Sequence, residues 1–214
     1  MRSMNPRRLG IVAFLLGAVC VFGQNRMTPK KFILYPMDKS CVCINALKTT
    51  KTASATEVRV GKVAHQVVYQ IFWSRTTPRR ELFRIVIGGY SNGQGDQLWN
   101  YGIASEGDFN GDGLPDYAWY GGDDTGGEMY LFFSSENRYK RVDVLKTVEA
   151  AWKQRFKKPA PDLSDSDSGY CVSKVVLERS TTGIVLHAAV PYPASEGQRE
   201  GTYRFDIAQE NFKP

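Results

Sequence analysis

Apolar residues recur at every second position over long stretches of this 214-residue chain, the pattern of strands that bury one face. From Glu57 the series runs Val58, Val60, Val67, Tyr69, Ile71 and Trp73, and after a turn at Pro78 it resumes with Phe83, Ile85 and Ile87. β-Branched and aromatic side chains fill these positions, as a pleated, half-buried surface requires. Shorter runs of the same kind stand at residues 32–35, 117–120, 129–133, 171–177, 184–190 and 202–207. Asn92-Gly93, inside a glycine-rich stretch, is a hairpin signal. The expected fold is mainly β: an antiparallel domain, either blade-like (a degenerate propeller) or a sandwich.

One helix interrupts this pattern. Leu145, Val148, Trp152 and Phe156 are spaced three, four and four residues apart, which is an amphipathic stripe. The helix is expected over about residues 143–157, with Asp143 as its N-cap, Lys157-Lys158 at its negative end and Pro159 as its stop. Its apolar side is expected to pack on a sheet. The Thr/Lys/Ala-rich residues 48–56 lack periodicity and read as a solvated loop. Residues 159–169 read as a connector whose Asp165 and Asp167 are solvated charge, and residues 191–201 read as an exposed loop.

The chemistry concentrates in Asp108-Phe109-Asn110-Gly111-Asp112-Gly113-Leu114-Pro115-Asp116. Oxygen-bearing side chains at alternate positions of a tight loop all point inward, and a hard divalent cation takes six to eight oxygens at roughly 2.3–2.6 Å. Asp108, Asn110, Asp112 and Asp116 are the candidate side-chain ligands, and Leu114 would add its carbonyl. Gly113 stands at the sixth position, where the backbone needs a positive φ. Three carboxylates at this density repel one another without a cation. An Asp/Asn/Gly-rich turn with no metal is the competing reading, but alternate-residue register held over nine positions favours Ca2+.

The loop is not an EF-hand, because the twelfth position is Trp119 rather than a bidentate Glu and a strand-like Tyr117-Ala118-Trp119-Tyr120 follows. Residues 107–139 instead resemble the calcium-binding repeat of the FG-GAP and VCBS families. The resemblance rests on Gly-Asp-Phe-Asn-Gly-Asp-Gly-x-x-Asp, a short strand, a Gly121-Gly122 turn and a second strand from Met129 to Phe133. It implies one blade-like β unit in which calcium ties a loop to the next strand, and it covers about one sixth of the chain.

The first 23 residues have the plan of a secretory signal peptide: Arg2, Arg7 and Arg8, an apolar run from Leu9 to Phe22, and small residues near Gly23. The run is shorter than the roughly 20 apolar residues of a membrane span. Cys20 raises lipidation, which Val19 disfavours. The remaining chain, 24–214, is expected to form one β-rich domain that is secreted or periplasmic and has no membrane span after cleavage. Losing three arginines takes the net charge from +6 to about +3. The basic residues are scattered without interleaved stacking aromatics, so nucleic acid is not an expected partner. Three cysteines remain, and either Cys41 or Cys43 could reach Cys171, with Cys43 preferred. Direct pairing of Cys41 with Cys43 would strain the bond.

No nucleophile elbow, zinc-protease helix, Walker loop or Cys-His signature is present. His65 and His187 both sit in strand-like runs and read as structural. Glu106, Asp123, Asp124 and Glu128 flank the loop, and they supply the alternative reading, a carbohydrate-active enzyme using paired carboxylates. Asp123 or Asp124 could also complete the coordination sphere. The preferred expectation is an exported calcium-binding module with no catalytic residues, whose partner is a protein or a cell-envelope glycan outside the cytoplasm. A sharper form is an inhibitor or immunity-type protein of a lysozyme-like hydrolase, with residues 121–128 and 191–201 as the loops that would enter a partner's cleft. A surface or adhesion component is a third class.

Overall fold

The computed structural model describes residues 29–36, 50–62, 65–91, 94–97, 100–122, 127–135, 138–164, 169–194 and 199–208. The expected signal peptide, Cys20, Cys41, Cys43, Asn92-Gly93, Asp123, Asp124, Asp165 and Asp167 lie outside these described residues. No helix among the described residues is long and apolar enough to cross a membrane.

Among the described residues twelve strands form three four-stranded antiparallel sheets and one helix follows the ninth strand, so the mainly β expectation is met. The first sheet orders β2 (Ala53–Lys62), β3 (His65–Ser74), β4 (Glu81–Ser91) and β5 (Gln94–Gln97). The middle sheet orders β6 (Asn100–Gly107), β7 (Asp116–Gly122), β8 (Gly127–Ser135) and β9 (Arg138–Asp143). In the third sheet β1 (Lys30–Pro36) pairs with β10 (Lys174–Ser180), followed by β11 (Gly183–Tyr192) and β12 (Gly201–Ala208). An early strand thus joins strands from the far end of the chain.

The middle sheet is covered on both faces, and every residue of β7 is buried. Alternation along that strand sends Tyr117 and Trp119 into one core and Ala118 and Tyr120 into another. The first core lies against the first sheet, where Phe83 stacks on Phe132 with ring centroids 3.9 Å apart. Trp119 Nε1 donates to Gln70 Oε1 at 2.8 Å in this interior, which satisfies both buried groups. The second core gathers Leu131, Phe133, Val148, Trp152, Leu177 and Leu186 between the middle sheet, the helix and the third sheet.

The helix α1 spans Val144–Phe156 and carries the expected cap: Asp143 Oδ1 accepts from Lys146 N at 3.0 Å. Val148 and Trp152 are buried, and Leu145 and Phe156 pack beside them. Lys157 closes the helix in the left-handed conformation at φ 56°, its N–H bonded to Lys153 O.

Several expectations are corrected. Residues 53–56 are not loop but the start of β2, paired with β3 from Ser74 to Ile71, and Thr50 is buried with its hydroxyl on Ala53 O. Val58 and Val60 are exposed rather than half-buried, because β2 is an edge strand that touches the core only at its start, through Ala53. In β3 the side chains facing the inter-sheet core are Val68, Gln70 and Phe72, while on the other face Ile71 is buried and Val67, Tyr69 and Trp73 are half-buried. Gly121 and Gly122 are strand residues paired with Glu128 and Gly127, not a turn. Leu163, within the expected connector, is 2% exposed and belongs to the second core. Cys171 is buried and disulfide-bonded, and its partner lies outside the described residues.

Candidate metal centre

The loop of residues 108–116 joins β6 to β7, so it is held by the middle sheet at both ends. Phe109 anchors it: the ring is fully buried, in edge contact with Phe32 of β1 at 4.9 Å. Tyr139 of β9 donates its hydroxyl to Pro115 O at 2.9 Å and fixes the exit.

Within the loop a ladder of side-chain to backbone bonds imposes the curl. Asp108 Oδ1 accepts from Gly111 N at 2.6 Å, Asn110 Oδ1 from Asp112 N at 3.0 Å, and Asp112 Oδ1 from Leu114 N at 2.8 Å. The last two are Asx turns and the first spans one residue more; such bonds are the local alternative to a sheet ladder, and they turn each side chain back over its own loop. Gly111 and Gly113 take the positive φ that such a curl demands, 94° and 83°.

Asp116 closes the curl from the strand side. Its carboxylate has no exposed surface, and four donors lie within hydrogen-bond distance of it. Oδ2 takes Phe109 N at 2.6 Å and Asn110 N at 3.0 Å; Oδ1 takes Ser134 N at 2.7 Å and Ser134 Oγ at 2.9 Å. Burial pushes its pKa up, and the bonds from Ser134, Asn110 and Phe109 only partly oppose that shift.

Two groups the sequence reading did not single out complete the arrangement. Ser134 of β8 lies among three loop residues, since its Oγ also reaches Asp112 Oδ2 at 2.6 Å and its carbonyl accepts from Asn110 Nδ2 at 3.1 Å. Arg179 of β10 places Nη1 3.0 Å from Asp108 O and 3.1 Å from Asp108 Oδ1, which links the loop to the third sheet. No local signal marks either residue, because Ser134 stands 18 to 24 positions from its loop partners and Arg179 stands 71 from Asp108.

All five expected ligands therefore lie in one short curl, but in different environments. Asp116 is buried, Asp108 and Asn110 are half-buried, and Asp112 and Leu114 are exposed. Their donors are hard oxygens throughout, a set chemically suited to Ca2+. Among the described residues no group of three or more His, Cys, Asp or Glu side chains forms a ready metal cage. Each carboxylate instead has at least one oxygen on an N–H or hydroxyl.

Of the flanking acids, Glu106 and Glu128 lie among the described residues, and both are hydrogen-bonded. Glu106 accepts from Lys51 N on Oε2 at 2.9 Å and from Thr52 Oγ1 on Oε1 at 2.7 Å, while Glu128 Oε2 accepts from the Tyr130 hydroxyl at 2.9 Å. Thr52 also meets the buried Tyr117 hydroxyl at 2.5 Å, so Glu106 closes a polar chain that ties residues 51–52 to the middle sheet. His65 is exposed, and His187 lies between Asp206 and Glu178.

No family model, no curated protein and no solved structure matches this chain.

Proposed function

We propose that this protein is an exported, calcium-stabilised β domain that acts by binding a protein or glycan of the cell envelope. The observation carrying this reading is the position of the loop: its polar atoms are committed to Ser134 of the middle sheet and Arg179 of the third. A cation held there by Asp108, Asn110, Asp112, Leu114 and Asp116 would order the joint between two sheets. That is a structural task, and it offsets the crowding of three carboxylates. Extracellular calcium modules bind at about 10⁻⁴–10⁻³ M, which suits an ion abundant outside the cell, and residues 1–23 supply the matching export plan. Inhibition of a lysozyme-like hydrolase is the narrower form, and it rests on the loop and the compartment.

The test is a thermal melt with calcium, with magnesium and with chelator. Ion at ten times its dissociation constant contributes about 1.4 kcal/mol, and the midpoint moves roughly 2–4 °C per kcal/mol in a domain of this size. A calcium-specific rise of about 3–6 °C is expected. Equal midpoints in all three conditions would falsify the metal reading. For the narrower form, immobilised protein should retain a peptidoglycan hydrolase from envelope extract, and a clean negative ends it.

A further inference from the structure

The outward face of the third sheet holds a concavity of about 460 Å³, remote in sequence from the loop and independent of the calcium reading. Strand register arranges its residues in rows. Lys174, Ala189 and Arg204 form one row; Ile33, Val176, His187 and Asp206 form the next; Lys31, Glu178 and Val185 form the third.

Charges in the last two rows are matched. Lys31 Nζ is 3.0 Å from Glu178 Oε2, and His187 Nδ1 is 2.7 Å from Asp206 Oδ1. His187 Nε2 is buried 3.5 Å from Glu178 Oε2, within ion-pair reach but without a hydrogen bond. The first row differs. Lys174 and Arg204 both line the concavity, and neither meets a carboxylate among the described residues.

Between these two cations stands Ala189, whose single methyl leaves the space above it open. Neighbouring strands lie 4.7–4.9 Å apart, so the Cα atoms of Lys174 and Arg204 are about 10 Å apart. Both long stems can therefore lean over Ala189 toward one anionic group. Arginine presents a planar fork matched to a carboxylate, and lysine adds a mobile point charge. Directly beside this pair lie Val176 and Ile33, the latter 57% exposed, an apolar shelf next to a cationic slot.

We propose that this concavity binds a small organic anion with an apolar body: the carboxylate sits over Ala189 between Lys174 and Arg204, and the body lies on Val176 and Ile33. The partner of a bare anion would need no shelf, and an uncharged apolar ligand would need no cations.

Phenylacetate, acetate and phenethylamine are titrated into the isotopically labelled protein of residues 24–214, and amide shifts are followed by NMR. Phenylacetate should shift the amides of Lys174, Ala189 and Arg204 saturably. Acetate and phenethylamine should each bind roughly tenfold or more weakly. The double variant K174A/R204A should lose about tenfold or more for phenylacetate, with dispersed spectra reporting that it folds. A189L keeps both charges but fills the slot, and it should weaken binding likewise, while K146A on the exposed side of α1 should leave it unchanged. No saturable shift at these amides, equal affinity for acetate, or undiminished binding by a folded K174A/R204A each overturns the proposal.

Discussion

Replacing Asp116 by alanine removes the acceptor on which the loop closes. Four donors reach that carboxylate, but the Ser134 hydroxyl has one proton and a shorter bond to Asp112 Oδ2, 2.6 Å against 2.9 Å. Three backbone N–H groups are then stranded: Phe109, Asn110 and Ser134. Those of Phe109 and Ser134 belong to buried residues, whereas Asn110 is half-buried and water can replace its partner. Each orphaned buried donor costs about 1–3 kcal/mol. Relief of the buried charge, which pushes the Asp116 pKa up, takes back part of that loss. The net destabilisation for D116A is therefore about 2–4 kcal/mol, a large share of a typical 5–15 kcal/mol. The melting midpoint should fall by roughly 4–16 °C. D116N can keep its carbonyl on Phe109 and Asn110 and turn its amide toward Ser134, orphaning one N–H instead of three, so its loss should be about half as large. Melts followed by near-ultraviolet circular dichroism in chelator separate this effect from any metal. If D116A melts within a degree of the parent, or D116N is the worse variant, the account of the clasp is wrong.

Other expectations concern the same joint and its surroundings. G111A should destabilise more than G113A: both residues have positive φ, but a Cβ at Gly111 would lie 2.8 Å from Arg179 Nη1, whereas one at Gly113 meets nothing within 4 Å. Urea midpoints of the two variants test that order, and equal losses would show that Arg179 yields freely. Q70L strands the buried Trp119 Nε1 and should cost about 1–3 kcal/mol, read as a lower urea midpoint at unchanged slope. K157G relieves a left-handed residue at the end of α1 and should stabilise by about 0.5–1 kcal/mol, read as a higher urea midpoint at unchanged slope.

The helix was legible because its signals are local. Asp143 as N-cap and the stripe through Val148 and Trp152 depend on neighbours within one or two turns, and the same holds for the alternate-residue spacing of Asp108, Asn110 and Asp112. β4 was legible for a related reason: Phe83, Ile85 and Ile87 face a core while Arg84 and Val86 face out, so the pattern has one answer. β3 is apolar on both faces, so period two marks a strand without showing which side is buried. β6 and β9 were missed, since the Gly-Ile-Ala-Ser of one and the Arg-Tyr-Lys-Arg of the other carry no alternation; pairing with β7 and β8 makes them strands.

What the amino-acid sequence by itself determined is therefore the material whose free energy is set within a few residues: the strand-rich character, the helix with its cap, and the curl of acids and glycines. Tertiary structure alone decided the sheet order, the union of β1 with β10, the burial of β7 on both faces, and the recruitment of Ser134 and Arg179 to the loop. A turn or a cap is stabilised by bonds between neighbours, so it is written locally. A strand pair or a cross-sheet clasp gains its stability from a partner tens of residues away, and nothing in either segment names the other until the cores bring them together.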